Sequence, residues 1–326
     1  MTAPRPRVAL TLGDPAGVGP ELAARLLARP GSLRNADVYV LADAAEVADA
    51  ARRAGVGVPL AATPSPTEAA LLDDGSAPGV AIDVGVVSRA AGQRALHQLR
   101  RALALARDGQ VDAIVYAPLN KSSAHLAGMA DEDELRWFAG VLGVDGVTSE
   151  LNVVDRLWTA RVTSHISLAE VAPRITVERT VGTIALLHRM LAGSGVPAPR
   201  LAVAALNPHA GENGRFGREE IDVIAPAVRA AVAAGIDARG PFPSDTVFLA
   251  ARRGDVDGVV TMYHDQGQIA MKLLGFDRGV TVQGGLPVPV VTPAHGTAFD
   301  IAGRGVADPG ATCHAFDLAV ALATAG

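Results

Sequence analysis

The sequence predicts an α/β protein with a doubly wound, mostly parallel sheet. Short apolar runs of strand character alternate with amphipathic helical runs along nearly the whole chain, which is the order expected of parallel βαβ units. Hydrophobic residues make up 49% of the 326 residues but aromatic residues only 4%, and this composition suits buried parallel strands covered by small-residue helices. A chain of this length exceeds one typical hydrophobic core, so we expect two domains or one large α/β unit.

Local signals define the elements in the first half of the chain. RVALTLG predicts a strand, and the following run PELAARLLA predicts a helix because Pro20 suits the first helical position. DVYVLAD predicts a second strand. The amphipathic run QRALHQLRRALALARDG predicts a helix that ends at Gly109, before the strand VDAIVYAP. Residues 60–80 are rich in Pro, Ala and Asp, and we expect them to form an exposed excursion.

The same alternation continues in the second half. TVERTVGTIALLHRML predicts a helix that ends near Gly193, before a strand over residues 201–206. Residues 219–234 are predicted to be helical, with a kink or a delayed start at Pro226. DGVVTMY predicts a further strand and QIAMKLL a short helix. The charged turn in AHLAGMADEDELRW indicates a domain boundary near residue 125.

Charge and composition argue against several classes of partner. The formal net charge is −5 and no basic run with interleaved aromatic residues occurs, so we expect no nucleic-acid partner. The single cysteine, Cys313, cannot form an intramolecular disulfide and fits a reducing cytosol. No uninterrupted apolar run of about 18 residues occurs, so we expect no membrane span. The apolar stretch near the N-terminus ends in a turn and not in a cleavable signal, which favours a cytoplasmic protein.

Three of the eight histidines stand where strand-like runs end: His165 closes TARVTSH, His209 closes LAVAALNPH and His264 closes DGVVTMYH. A histidine at a strand end is more often an ordinary polar residue than a ligand. NPHAGENG and YHDQGQ, however, are richer in Gly and polar groups than a core allows. Ligands collect outside the carboxyl ends of parallel strands, and imidazole is the commonest metal-binding side chain. We therefore predict a three-histidine site for a divalent metal with open coordination positions.

Other polar residues follow the predicted strands. GDPAGVGPE opens the first helix, and its free N–H groups could hold an anion, although a plain tight turn explains it about equally well. Asp14 at this strand exit favours a role in binding substrate. Lys121 in APLNK is either a solvated lysine or a substrate ligand. Lys272 follows His264 by two helical turns and could bind a substrate carboxylate or carry a proton.

Two carboxylates accompany the predicted metal site. PFPSDTVF contains Asp245 and YHDQG contains Asp265. Each could ligate the metal, orient an imidazole or accept a proton, and the sequence does not separate these roles. For both, the alternative is a helix cap, and this interpretation is strong for Asp245 because an apolar helical run follows it.

Seven ordered motifs then point to a family. The Gly-rich string HGTAFDIAGRGVADP resembles the adenosine-binding loop of the isocitrate and isopropylmalate dehydrogenases. The whole chain more closely resembles the 4-hydroxythreonine-4-phosphate dehydrogenase family. The matching motifs are LTLGDPAGVGPE, APLNK, TSHISL, LNPHAGENGRFGREEID, GPFPSDTVF, MYHDQG and HGTAFDIAGRG. They match in order from near the N-terminus almost to the C-terminus.

The resemblance implies a two-domain isocitrate/isopropylmalate dehydrogenase-like fold and a homodimer whose active site lies between subunits. Residues 1–125 with 284–326 would form a cofactor-binding domain, and residues 126–283 a metal, substrate and dimerisation domain. The three histidines fall on the family's ligands for a divalent metal (Zn, Mg or Co), and Lys272 falls on a substrate-contacting lysine. The implied cofactor-binding residues are His295, Gly296, Thr297, Ala298, Asp300 and Gly303.

The resemblance also implies a cofactor preference. Asp300 stands where related dehydrogenases place an acidic residue on the ribose hydroxyls. A carboxylate there accepts a hydrogen bond from the 2′-OH and repels a 2′-phosphate. We therefore predict NAD as the cofactor, with NADP as the less favoured alternative.

The chain departs from the family at substrate-contacting positions. A GHTE string of the family aligns with residues 133–136 of this chain, which read DELR. The family's substrate-contacting asparagine and arginine fall on Thr281 and Val290, so an arginine that could pair with a phosphate is missing. Arg136 is a new cation that could partly restore anion binding, or it forms a surface salt bridge with Glu132.

These observations predict oxidation of a hydroxy acid to a 3-keto acid with decarboxylation. The metal would acidify the substrate hydroxyl, Asp245, Asp265 or Lys272 would take the proton, and the nicotinamide would take the hydride. The substrate is either 4-phosphooxy-threonine or a non-phosphorylated diol acid, such as the dihydrodiol of terephthalate breakdown that similar relatives oxidise. A Zn-dependent hydrolase or aldolase is less favoured because those reactions do not need the HGTAFDIAGRG loop. A catalytically silent binding protein is less favoured because no metal histidine is lost.

Overall fold

The computed structural model describes residues 4–75, 81–131, 133–275 and 278–325. They form two compact units, one within residues 1–144 and 286–324 and the other within residues 145–285. The predicted α/β class with mostly parallel strands is confirmed. Among the described helices, none combines the length and the apolar character that a membrane span requires.

Strands and helices alternate along both units. The strands are β1 (Arg7–Thr11), β2 (Asp37–Leu41), β3 (Leu60–Ala61), β4 (Ala69–Leu71), β5 (Ala113–Tyr116), β6 (Ser149–Val154), β7 (Leu157–Arg161), β8 (Leu201–Ala204), β9 (Ala238–Phe242), β10 (Gly258–Thr261), β11 (Val280–Gly284) and β12 (Val290–Pro293). The helices are α1 (Gly19–Ala28), α2 (Ser32–Asn35), α3 (Ala44–Ala54), α4 (Arg89–Arg107), α5 (Lys121–Leu126), α6 (Glu134–Leu142), α7 (Leu168–Arg174), α8 (Val177–Gly193), α9 (Ala225–Ala233), α10 (Ser244–Arg253), α11 (His264–Gly275) and α12 (Gly310–Ala325).

The first unit holds a parallel sheet with the strand order β3–β4–β2–β1–β5–β12. Val8 of β1 pairs with Val38 on one side and with Ala113 on the other, and all three side chains are buried. The order of the strands reverses at β1, which is the switch point where α/β proteins open a crevice at the carboxyl ends of their strands. The loops GDPAGVG after β1 and APLNK after β5 flank this point.

The second unit holds a mixed sheet with the order β11–β6–β7–β10–β8–β9. β6 is antiparallel to both β11 and β7, whereas β7, β10, β8 and β9 are parallel neighbours. Val259, Ala202 and Met271 belong to the buried cluster on one face of this sheet. Because parallel strands end at the same edge, the loops that follow β7, β10 and β8 lie side by side.

Side-chain caps and glycines mark the helix ends much as the sequence predicts. The Ser88 side chain accepts from the N–H of Ala91 at the start of α4, and Gly109, with a φ of 66°, follows the end of that helix. The predicted irregular start near Pro226 is confirmed. Residues Glu220–Ile224 form a π-helical turn, and α9 begins after it with Pro226 in its first turn.

Two expectations about chain organisation are wrong. The units divide after residue 144 and not near 125, because Trp137 and Phe138 of α6 pack into the first unit's core. Residues 60–80 are not wholly an exposed excursion, because β3 and β4 join the sheet and Ala69 and Ala70 are fully buried. Residues 76–80 of that segment lie outside the described residues.

Candidate active site

The strand order of the second unit brings the three histidine loops to one edge of the sheet. β7, β10 and β8 are consecutive neighbours, and His165, His264 and His209 follow their carboxyl ends. Neighbouring strands lie about 4.8 Å apart. His165 and His264 therefore leave adjacent strands, and His209 leaves the next strand across.

His165 and His264 lie side by side. Their ring centroids are 5.6 Å apart and their ring planes are inclined by 41°. Both line a cleft of about 190 Å³, which Tyr263 and Leu168 also line. His165 has a φ of 29°, a conformation that is rare for a residue with a side chain and that occurs most often at functional sites. This pair and its cleft form the centre of the candidate site.

Asp265 contacts one of these imidazoles directly. The Nδ1 atom of His264 and the Oδ1 atom of Asp265 are 2.7 Å apart. Such a hydrogen bond fixes the ring and leaves Nε2 as the nitrogen that could bind a metal. Of the roles that the sequence left open for Asp265, this contact supports the orientation of an imidazole.

His209 lies on a segment of unusual backbone. Residues 209–213 all have positive φ values, from 42° to 76°, so this segment makes a left-handed turn. Four of these five residues are not glycine, and L-residues adopt this conformation at a cost. The ring of His209 packs edge-on against that of Phe216, with 6.3 Å between the centroids and 63° between the ring planes. His209 thus reaches the same sheet edge on a strained turn, whereas His165 and His264 form a contacting pair.

The three histidines do not yet form a closed ligand set. Within the described parts of the chain, one group of three or more candidate ligand atoms lies within 4.8 Å, and it consists of Asp43, Asp73 and Asp74. Asp43 accepts in the capping box of α3, and Asp73 accepts from the N–H groups of Ala44 and Gly75. Such contacts give these carboxylates structural partners, so we do not assign this acidic group a metal.

Asp245 and Lys272 are both exposed on helices that begin at this edge. Asp245 lies in the first turn of α10 and does not cap it, because the cap position is Pro243. The helix α10 packs against the turn that carries His209. Lys272 follows His264 by eight residues on α11, about 12 Å along the axis at 1.5 Å per residue. Their roles as proton acceptor and substrate ligand remain predictions.

A buried arginine, which the sequence did not single out, lies behind the paired histidines. Arg161 ends β7 and is 6% exposed. Its guanidinium forms an ion pair with Glu150 and donates to Oδ1 of Asn152 at 3.1 Å. Its Nε donates to the hydroxyl of Ser164 at 2.9 Å, directly before His165. Gln268 of α11 donates to the same Asn152 oxygen at 2.8 Å, so this network links the His165 loop to the helix that begins with His264.

In the first unit, GDPAGVGPE supports the HGTAFDIAGRG loop. The N–H of Val18 donates to the carbonyl of Thr297 at 3.0 Å, and a Cβ on Gly17 would lie 2.8 Å from Thr297. The Glu21 carboxylate accepts from the N–H groups of Gly303 and Gly305. The N–H groups of Val18, Gly303 and Gly305 thus have protein partners, while the anion site considered for GDPAGVGPE remains a prediction beside the tight-turn interpretation.

The predicted cofactor-binding loop itself is largely accessible. Gly296, Asp300 and Gly303 are exposed, whereas Thr297 is buried by the contacts just described. Ala298 has a φ of 42°, and Nδ1 of His295 lies 2.9 Å from the carbonyl of Gly296. The loop is thus a supported, exposed turn of a kind that could hold a nucleotide.

Asp14 is fully buried and not open to a ligand. Its Oδ1 atom accepts from the N–H of Ala16 at 2.8 Å. Burial raises the pKa of the Asp14 carboxyl, although its backbone hydrogen bond works in the opposite direction. Direct contact of Asp14 with a substrate would therefore require local rearrangement.

The segment that replaces the family's GHTE string forms a helix start. Asp133 is the N-cap of α6 and accepts from the N–H of Arg136. Glu134 is 9% exposed and lies 3.8 Å from the Nζ atom of Lys121. Lys121 therefore has a carboxylate partner while it remains exposed, and its role as a substrate ligand stays a prediction. Arg136 is exposed, and its alternative partner Glu132 lies outside the described residues.

At the two other positions where the chain departs from the family, Thr281 and Val290, the side chains contact other residues of the protein. The hydroxyl of Thr281 accepts from Nδ2 of Asn152 at 3.2 Å and so joins the network around Arg161. Val290 is fully buried in the first unit's core. In the present structure neither position offers a cation to a substrate.

The structure is that of an α/β protein in which two histidines line a cleft at the carboxyl ends of neighbouring parallel strands. Residues 34–319 match the family described as "Pyridoxal phosphate biosynthetic protein PdxA". The chain belongs to the PdxA family, as its motifs predict. It is therefore an oxidoreductase that acts on a CH–OH group, with a small molecule as substrate and NAD(P) as cofactor.

Two relatives cover essentially the whole chain. A Pseudomonas aeruginosa protein named "Putative 4-hydroxythreonine-4-phosphate dehydrogenase 2" is 51% identical and covers 98% of each chain. A D-threonate 4-phosphate dehydrogenase from Cupriavidus necator is 39% identical, again over 98% of each chain.

Two solved structures resemble the chain over nearly its full length. A 4-hydroxythreonine-4-phosphate dehydrogenase from Klebsiella pneumoniae has a TM-score of 0.84 and 39% identity, over 99% of both chains. A terephthalate 1,2-cis-dihydrodiol dehydrogenase from Burkholderia xenovorans has a TM-score of 0.72 and 30% identity, over 97% of this chain and 98% of that one.

Proposed function

We propose that the chain is an NAD-dependent, divalent-metal-dependent dehydrogenase that oxidises a hydroxy acid to a 3-keto acid with decarboxylation. The observation that supports it most is the pair His165 and His264, which line one cleft at the ends of adjacent parallel strands. His209 leaves the next strand on a strained turn. Three neutral imidazoles suit Zn, Co and related divalent ions and leave coordination positions for a substrate.

The residues of this chain have separate roles in the proposed reaction. A divalent ion held by the three histidines would supply Lewis acidity to the substrate hydroxyl. Asp265 holds Nδ1 of His264, so Nε2 is the nitrogen that can ligate. Because one oxygen of Asp265 is used in that contact, Asp245 and Lys272 are the better candidates to accept the hydroxyl proton.

Cofactor choice follows from the HGTAFDIAGRG loop. Asp300 is exposed on this loop and can accept a hydrogen bond from a ribose hydroxyl. The same negative charge disfavours a 2′-phosphate. The preferred cofactor in this proposal is therefore NAD.

The preferred substrate is a 4-phosphorylated hydroxy acid of the kind that the relatives' names describe, 4-hydroxythreonine 4-phosphate or D-threonate 4-phosphate. A specific observation supports the alternative of a non-phosphorylated diol acid. Val290, at the family's arginine position, is fully buried, and a solved relative named for a dihydrodiol substrate shares the fold. A bidentate phosphate contact at that position is therefore lost.

The helix that begins at His264 also supports a homodimer. Ile269 is 60% exposed and Leu273 is 84% exposed, and they are one helical turn apart on α11. Leu168, in the wall of the histidine cleft, is 71% exposed. In this proposal a second copy covers the apolar face, beside Lys272. Leu273→Glu should then shift the protein toward monomer in sedimentation experiments, whereas an unchanged mass distribution would count against this interface.

A substrate screen tests the proposal. The metal-depleted enzyme is supplied with NAD and with Zn, Co or Mg, and reduction of NAD is followed by absorbance. The hydroxy acids offered are the two 4-phosphates, their unphosphorylated forms and a cyclic cis-diol acid. We expect turnover that requires an added metal and is lost in His165→Ala and in His264→Ala. Full turnover in the presence of a strong chelator would rule the proposal out.

A further inference from the structure

Glu220 is a buried carboxylate that the proposed chemistry does not use. It is 3% exposed and begins the π-helical turn Glu220–Ile224. Its Oε1 atom accepts from the backbone N–H groups of Leu206 at 2.9 Å and Asn207 at 2.7 Å. Its Oε2 atom accepts from Nδ2 of Asn207 at 3.0 Å. One carboxylate therefore receives three donors from two consecutive residues.

Those two residues lead directly into the turn that carries His209. Asn207 is extended, with φ −89° and ψ 155°, and the left-handed residues 209–213 follow after Pro208. Gly211 lies inside the turn, and a Cβ there would be 2.6 Å from Oε2 of Glu220. Glu220 therefore contacts the segment both where it leaves β8 and in the middle of the turn.

A left-handed run of this kind persists only when its surroundings fix it. Backbone N–H groups that leave a strand also need partners when they are buried, and a charged acceptor gives the strongest hydrogen bonds. Glu220 meets both needs, because it contacts the left-handed turn and its carboxylate accepts from the N–H groups of Leu206 and Asn207. The π-helical turn on which it lies is itself a rare conformation that often marks functional positions.

We infer that Glu220 is a positioning residue that fixes the 206–213 segment and thereby holds the imidazole of His209 in place to bind a metal. The inference rests on the proposed metal site. Glu219 cannot replace it, because Glu219 is only partly buried and, among the described residues, its hydrogen bond is from the side chain of Asn207, at 2.7 Å.

Metal binding by the metal-free protein tests this role apart from turnover. Co²⁺ is titrated into wild type and variants, and its visible absorption and its heat of binding are measured. Glu220→Ala should weaken Co²⁺ binding by about 10- to 100-fold, the range for residues that orient metal ligands. Asp222→Ala is the matched control, because Asp222 pairs with Arg218 on the exposed side of the same segment. It should bind Co²⁺ like wild type.

Two conservative variants separate positioning from charge. Glu220→Gln keeps an acceptor at full reach and should lose less affinity than Glu220→Asp, which keeps the charge but withdraws both oxygens. This order also supports the inference if Glu220→Ala does not fold. Wild-type Co²⁺ affinity in a folded Glu220→Ala, or the opposite order of the two conservative variants, would overturn it.

His209→Ala distinguishes failure of this inference from failure of the metal site. If His209→Ala binds Co²⁺ like wild type, the proposed three-histidine site is wrong, and the role of Glu220 falls with it. If His209→Ala loses Co²⁺ while Glu220→Ala retains it, only the positioning role is wrong. Thermal unfolding of the metal-free variants completes the test, since a purely structural role lowers stability without changing Co²⁺ affinity.

Discussion

Replacing Arg161 should be among the most destabilising changes at the candidate site. The Arg161 side chain is 4% exposed, and its partner Glu150 is 13% exposed. Arg161→Met keeps the apolar stem but removes the ion pair and the hydrogen bonds to Asn152 and Ser164. Breaking a buried pair by removing one partner costs about 3–5 kcal/mol, because it leaves the other charge uncompensated. We expect a loss of that size in the free energy of unfolding.

Urea-induced unfolding of the metal-free protein measures this loss, with the slope of the transition compared between variants. Arg218→Met is the matched control, since Arg218 pairs with Asp222 and both side chains are more than half exposed. Such a surface pair contributes only about 0.3–0.5 kcal/mol.

A second substitution locates the origin of the effect. Glu150→Gln in the Arg161→Met background removes the uncompensated charge, so the double variant should regain about 1–3 kcal/mol relative to Arg161→Met. A loss below about 1 kcal/mol for Arg161→Met, or additive effects of the two substitutions, would refute the assignment of a buried, coupled ion pair.

Three groups of smaller predictions concern titration, cofactor and substrate. An arginine hydrogen bond lowers the pKa of Asp112, so the stability it contributes is present above the ordinary value of 3.8 and is lost as pH falls through the lower folded value. Asp112→Asn should lower the thermal midpoint at neutral pH and flatten its acid dependence, and an unchanged acid profile would contradict this. Burial raises the pKa of Asp14, so its stabilising contribution is present below 3.8 and is lost as pH rises through the folded value. Asp14→Asn should therefore raise the thermal midpoint at pH 7 and leave it unchanged in strong acid; a lower midpoint at pH 7 would contradict this. Asp300→Ala should narrow the NAD preference in kcat/KM by about tenfold, the loss of one hydrogen bond to a charged group, and a wild type that prefers NADP would contradict it. Thr281→Asn should raise the ratio of kcat/KM for phosphorylated over unphosphorylated acids severalfold, whereas an unchanged ratio would separate this position from substrate choice.

The sequence predicted the common sheet edge because that edge depends on short-range patterns. Apolar runs that end in His165, His209 and His264 identify three strand ends, and parallel strands place those ends together. The order of the strands was not predictable in this way. Only the fold shows that β10 lies between β7 and β8, and therefore that His264 contacts His165 while His209 lies one strand away.

The supporting residues were missed because their partners are distant in sequence or because their signal was attributed to something else. Glu21 accepts from Gly303 and Gly305, more than 280 residues later, and no periodicity reports such a contact. Glu220 carried a signal that could have been used. It stands in the predicted helix 219–234, at a position where the structure buries a charged side chain beside the LNPHAGENG segment.

The domain boundary shows the opposite error, in which a local signal was given too much weight. The charged run around residues 131–136 indicated an exposed turn between domains near 125. Asp133 instead caps α6, and Glu134 is buried next to Lys121, so the charges start a helix. Trp137 and Phe138 then follow within one turn and bury that helix in the first unit. The two aromatic residues had more influence on the boundary than the charges before them.

The two histidine turns are supported by buried charges of opposite sign, and the backbone explains the choice. Between β8 and the His209 turn, the backbone N–H groups of Leu206 and Asn207 need a hydrogen-bond acceptor. The carboxylate of Glu220 is that acceptor. The His165 loop presents the hydroxyl of Ser164, and Arg161 supplies a donor to it. Apolar side chains could fill the same volumes but could not satisfy these groups, and each unsatisfied buried group costs about 1–3 kcal/mol. Charged side chains therefore support both histidine turns, through the hydroxyl of Ser164 on one side and the N–H groups of Leu206 and Asn207 on the other.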